Sequence, residues 1–160
     1  MKTLTTAWLA GGLLWLNAAL AGAPLPPELA DFNAALSRAT LAMDNSASMA
    51  LWDPASGVSL LPESAPLIGT PAIADMLAAV AKSLPGAHMQ SFELGCHLVS
   101  QDAHLATEWC DEHQVVVFPD GRPTFDGRGR MLLVLRRSSD HHWRLLCEMW
   151  QASESPASRS

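Results

Sequence analysis

The chain has 160 residues, the length of one domain, and a formal net charge of −6. That acidity, with no basic stripe anywhere, argues against nucleic acid as a partner. The balance of 49% hydrophobic to 16% charged residues is weighted by the N-terminal segment.

Met1–Lys2 is a short basic start, and the run from Leu4 to Leu20 is apolar. Ala19-Leu20-Ala21 and Ala21-Gly22-Ala23 both satisfy the small-x-small rule. This pattern predicts a signal peptide over 1–23, cleaved after Ala21 or Ala23, and a secreted or periplasmic product that leaves the membrane. The rival reading is a retained anchor, because the run approaches the length of a spanning helix. "GAPLPP" (22–27) leads into the domain, which is expected over 24–151.

From Glu28, Leu29, Phe32, Leu36, Ala39 and Met43 recur as one stripe of an amphipathic helix. Asp44 reads as an N-cap for a second helix, Asn45 to Trp52, ended by Asp53-Pro54. "GVSLLP" (57–62) and "SAPLIG" (64–69) read as short extended segments. Thr70 as N-cap and Pro71 at the first helical position open a third helix, with Ile73, Met76, Leu77, Val80 and Leu84 on one face.

The remainder reads as β structure. Over 88–100, Phe92, Leu94, Cys96 and Leu98 share a face. "QDAH" is a turn, and 104–118 is a long strand. "PDGRPTFDGRGR" (119–130) reads as a loop, "MLLVLRR" (131–137) as a strand, "SSDHH" as a turn and "WRLLCEMWQ" as the last strand. The Ser-rich tail over 152–160 is expected to be disordered. Strands follow helices in blocks, which predicts an α+β fold with helices on one side of an antiparallel sheet.

Few motifs name a chemistry. "DGRGR" (126–130) lacks the Gly-Lys-Ser/Thr ending of a phosphate loop, and no helix follows it. Asp111 and His113 share a strand face and could begin a metal site, but a solvated face is the plainer reading; His141 and His142 are neighbours in a turn. No metal or cofactor is expected. The three cysteines, Cys96, Cys110 and Cys147, are either buried small hydrophobes or one disulfide plus a free thiol, and spacing does not choose the pair.

The order of elements resembles the nuclear transport factor 2-like superfamily, in particular its SnoaL-like branch. The resemblance rests on "AMDNSASMALWDPASGVSLLPESAPLIGTPAIADML", on the hairpin "SQDAHLATEW" and on the closing "HWRLLCEMW". It implies a cone-shaped, strongly curved antiparallel sheet packed against three helices, with an apolar pocket at its open end. It also implies that alternate residues of the long strands line that pocket. Thr107, Trp109 and Asp111 share one face of their strand; Leu146, Glu148 and Trp150 share one face of theirs. The expected pocket is therefore Trp52, Trp109, Leu133, Leu146 and Trp150, with Glu148 as polar group and Glu148 or Asp111 as catalytic base if the protein is an enzyme. An acid among tryptophans would have a raised pKa. Against this, Glu148 could face water or pair with Arg136 or Arg137. The pocket so drawn requires Trp109 and Glu148 on the same face.

Three functions follow from the resemblance. One is an exported domain that binds a small apolar molecule. Another is an enzyme of proton transfer, isomerisation or hydration on a small apolar carbonyl compound. The third is a dimeric accessory module. The chain has no Tyr, the residue several relatives use to polarise a carbonyl. The other sheet face is also apolar, which implies a homodimer through the sheet.

Overall fold

The structure is a computed structural model that describes residues 24–55, 57–60 and 65–153. The expected signal peptide over 1–23 and the tail from 154 lie outside the described residues, as do Leu61 and Pro62 of the first extended segment. The elements are α1 (Pro27–Leu41), α2 (Asn45–Ala50), β1 (Val58–Leu60), β2 (Leu67–Ile68), α3 (Thr70–Ser83), β3 (His88–Gln101), β4 (Leu105–Val117), β5 (Phe125–Arg137) and β6 (Trp143–Ala152). Among the described residues no helix is long and apolar enough to cross a membrane.

The six strands form one sheet in the order β2-β1-β6-β5-β4-β3. All neighbours are antiparallel except β1 and β6, which run parallel. The fold is the expected α+β arrangement, with a mixed sheet rather than a purely antiparallel one. The parallel pair arises because the chain leaves α2 beside the far end of the meander. Asp53 N–H donates to the Leu145 carbonyl and Leu145 N–H to the Leu51 carbonyl, at 2.9 and 2.8 Å. Irregularities at Met89/Ser91, Leu98/Ser100 and Val134/Leu135 interrupt the ladders, as bulges that bend a strand locally do.

The helices cover one face. Leu29 and Phe32 of α1 and Ile73 of α3 are buried against Leu133, Leu135 and Leu145. The Asp44 carboxylate caps α2 by accepting from Ala47 N–H at 2.9 Å. The third helix is capped by Gly69, at φ +86°, one residue before the expected Thr70. A positive φ there suits glycine. Asp53 does more than stop α2: its buried carboxylate accepts from Ala55 N–H at 3.0 Å and from Arg136 Nε at 2.9 Å.

Cys96 and Cys110 lie directly opposite each other on β3 and β4 and form a disulfide, leaving Cys147 free. "DGRGR" is not in a loop. It lies inside β5, which begins at Phe125, and the loop is confined to 118–124. Its glycines make room for rings. A side chain at Gly127 would meet the Phe125 ring at 2.6 Å, and one at Gly129 would meet the Trp150 indole at 2.5 Å.

Candidate functional site

Strand parity builds the site. On β4 the residues facing the helices are Ala106, Glu108, Cys110 and Glu112, all buried; Leu105, Trp109 and Asp111 are exposed. Trp109 and Asp111 therefore stand on the outer face, contrary to the expected pocket. Cys110 is tied to Cys96, which shares the inner face of β3 with Phe92, Leu94 and Leu98. This linkage sets the parity of β4.

The β6 strand is inward at Trp143 and Leu145, and inward again at Glu148 and Trp150. Leu135 pairs with Leu145 but Val134 pairs with Cys147, so Leu146 is the extra residue of a bulge. Leu146 thus drops out of the expected set. Leu133 and Trp52 are buried in the core, 0% and 6% exposed, and take no part in lining the cavity. Of the residues expected around a pocket, the structure brings together Glu148 and Trp150. Glu148 and Trp109 lie on opposite faces, so the pocket drawn around Trp109 does not exist.

A cavity of about 330 Å³ does exist on the inner face. Its roof is Leu36 and Thr40 of α1 and Leu77 of α3. Its floor and walls are Phe92, Glu112, Gln114, Met131, Glu148 and Trp150. Ladder pairing explains this grouping. One row across the sheet runs Glu112, Gly129; the next runs Cys110, Met131, Trp150; the third runs Glu108, Leu133, Glu148, Ser59. Because Gly129 has no side chain, the Trp150 indole lies over it, with Nε1 towards the row of Glu112.

The acids differ in their surroundings. Glu112 is 8% exposed, and burial pushes its carboxyl up to about 7, with the Trp150 indole acting in the opposite direction and the neighbouring Glu148 charge adding to the rise. Glu148 is also raised by burial, opposed by the Ser59 hydroxyl, which donates to its Oε1 at 2.7 Å. Glu108 lies deeper, fully buried beside the disulfide. Its Oε2 accepts from Asn33 Nδ2 at 2.8 Å, and burial raises its pKa against that bond. Neither Arg136 nor Arg137 serves Glu148; they pair with Asp53 and Glu28. Sequence reasoning missed Glu108 and Glu112, which it had turned away from the pocket.

On the outer face, Asp111 and His113 do not combine as metal ligands. Asp111 faces Arg130 at 3.4 Å, and His113 Nε2 lies 2.8 Å from Asp126 Oδ1. Among the described residues the one group of possible ligands within mutual reach is Cys96, Glu108 and Cys110, and both of its sulfurs are in the disulfide.

Gly129→Ala is expected to push the indole off its seat. Overpacking of this kind costs about 1–3 kcal/mol. Chemical unfolding would measure the loss, and near-ultraviolet circular dichroism the displaced indole; an unchanged spectrum would contradict the placement of Trp150.

No protein-family model matches the chain, and no curated protein matches it in sequence. Solved structures do match. A ketosteroid isomerase-like protein from Erwinia carotovora atroseptica superposes with a TM-score of 0.68 at 16% identity, over 88% of this chain and 100% of that one. A putative dehydratase from the NTF2-like family of Streptomyces avermitilis gives 0.68 at 19% identity, over 80% and 96%. ActVI-ORFA from Streptomyces coelicolor gives 0.68 at 13% identity, over 80% and 94%. At such identities the likeness establishes the fold.

Proposed function

We propose, from the nuclear transport factor 2-like fold that this chain has, an exported domain that binds a small, largely apolar molecule in the cavity under α1. The observation that carries the reading is the cavity itself, mostly apolar in its lining, with Glu112, Glu148 and the Trp150 indole among the residues that line it. Ligand sites are concave and mostly apolar, with a few convergent polar groups, and range over about 300–1,000 Å³. The structural neighbours include proteins named for small-molecule chemistry.

Native mass spectrometry of protein purified from its own host tests this directly. A retained small molecule, released on denaturation and absent from a Leu36→Trp variant that fills the cavity, is the expected result. Empty protein that also shows no thermal shift with any apolar compound would contradict it.

A second reading, proton transfer on a small carbonyl compound, is favoured by one observation: a cavity carboxyl near 7 can both give and take a proton at neutral pH. On that reading Glu112, in place of Asp111, is the base, with Glu148 beside it. Turnover would be lost in Glu112→Gln, whereas simple binding would survive.

The outer sheet face supports a homodimer. Trp109, Leu132 and Met149 are aligned across three strands, with Trp109 37% and Met149 46% exposed. The adjoining row of Thr107, Val134 and Cys147 extends the patch. Contiguous exposed apolar surface marks an interaction site, and one that meets its own copy gives a two-fold dimer. Sedimentation should show a dimer that Trp109→Asp converts to monomer without unfolding; a wild-type monomer at high concentration would contradict it.

A further inference from the structure

Among the described residues, those lining the cavity include two carboxyl groups and no basic side chain. Leu36, Thr40 and Leu77 face it from the helices, and Phe92, Gln114 and Met131 from the sheet, all uncharged. The arginines of the neighbouring strand are committed elsewhere or turned away. Arg136 holds Asp53, and Arg130 and Arg128 pair across the ladder with Asp111 and His113 on the outer face. The partners of the two acids are neutral: a serine hydroxyl for Glu148 and an indole for Glu112. Glu108, in the same row of the sheet as Glu148, is also an acid and is joined to Asn33. Cys147, behind Glu148 on the sheet, is an un-ionised thiol, raised by burial.

Two carboxyls in the lining of a largely apolar cavity, without a counter-charge, favour an occupant that brings the positive charge. We propose that the ligand is a small apolar ammonium compound, its charged nitrogen between Glu112 and Glu148 and its hydrocarbon against Phe92, Met131 and Trp150. The Phe92 and Trp150 rings in the lining are aromatic, the kind of surface that attracts such a cation as well as its hydrocarbon. The proposal rests on the reading of the cavity as a ligand site and names the class of ligand.

The ligand classes differ in their proton balance. An ammonium ion is held by carboxylates, so its binding drives a protonated carboxyl to release its proton to solvent. Affinity therefore rises with pH through the titration of Glu112, until the amine itself deprotonates. A carbonyl or alcohol is best served by a protonated carboxyl and releases none.

Isothermal titration of the protein with benzylammonium, benzyl alcohol and benzoate tests this, in two buffers of different ionisation enthalpy at about pH 7. Benzylammonium is expected to bind about tenfold or more tightly than benzyl alcohol, the scale of one charge-assisted hydrogen bond. It should release protons, and benzoate should not bind. Glu148→Gln and Glu112→Gln should each reduce the preference while the circular dichroism stays native. Benzyl alcohol binding as tightly as benzylammonium would overturn the ammonium proposal and leave the cavity a ligand site. Failure of all three probes to bind would overturn both.

Discussion

Replacing Glu112 by glutamine is expected to stabilise the protein at about pH 8 by on the order of 3 kcal/mol, and to change it little near pH 4. The Glu112 carboxyl has an ordinary value of 4.5 and is raised to about 7 in the fold. Between those values the folded chain holds a proton that the unfolded chain has lost. Stability from this group is therefore complete below 4.5, falls as pH rises towards 7, and is flat above. Glutamine cannot ionise, so the variant lacks the decline. Glu148→Gln should act in the same direction, because burial raises that carboxyl too. Denaturant unfolding followed by tryptophan fluorescence across this range measures the effect. Parallel curves for wild type and Glu112→Gln would mean that Glu112 is an ordinary solvated acid.

The second large effect concerns Asn33. Replacing it with leucine is expected to cost about 2–3 kcal/mol, the cost of leaving a buried polar group without its donor. Glu108→Gln is expected to cost almost nothing at neutral pH. The reason lies in the atoms left over. Asn33 Nδ2 donates to Glu108 Oε2, while Asn33 Oδ1 and Glu108 Oε1 are buried with no hydrogen-bond partner. Both orphans are acceptors as long as Glu108 is ionised. A proton on Glu108 turns its hydroxyl into a donor for the Asn33 carbonyl and closes a two-bond pair. Burial raises the Glu108 carboxyl in the direction this requires. A glutamine at 108 supplies the same donor from its amide. If Glu108→Gln proved as costly as Asn33→Leu, Glu108 would have to be a carboxylate.

Much of this fold is legible in the chain. The stripe Leu29, Phe32, Leu36 gave α1, Asp44 the cap of α2, and the blocks of helix and then strand the class of the fold. What strict alternation could not give was parity. On β4 both faces mix polar and apolar residues: Thr107, Trp109 and Asp111 against Glu108, Cys110 and Glu112. Hydropathy does not separate them, and the tryptophan drew the pocket to the wrong side. The signal that could have decided it was the pair of cysteines. The register next to the turn, Gln101 with Ala106, would by itself set Cys96 opposite Asp111; the irregularity between Leu98 and Ser100 brings it opposite Cys110, and Cys96 sits on the plainly apolar face of β3. That places Cys110, and with it Glu108 and Glu112, inside. On β6 the bulge at Leu146 breaks alternation where no sequence rule announces it. The glycines of "DGRGR" read as loop punctuation because their reason is remote: one clears space for Trp150, which lies across the sheet.

The site follows from these local facts. The disulfide fixes which face of β4 is inward, the bulge returns Glu148 to that face, and Gly129 seats the indole beside Glu112. Together they make a largely apolar cavity lined by two acids whose pKa values burial raises, that of Glu112 to about 7. NMR titration of carbon-labelled glutamate carboxyls is the most direct test of that arrangement. The Glu112 resonance, assigned by its absence in Glu112→Gln, is predicted to titrate with a midpoint of about 7 and to move lower when Glu148 is replaced by glutamine. A midpoint at the ordinary 4.5, indifferent to Glu148, would contradict a buried Glu112 beside Glu148 in this cavity.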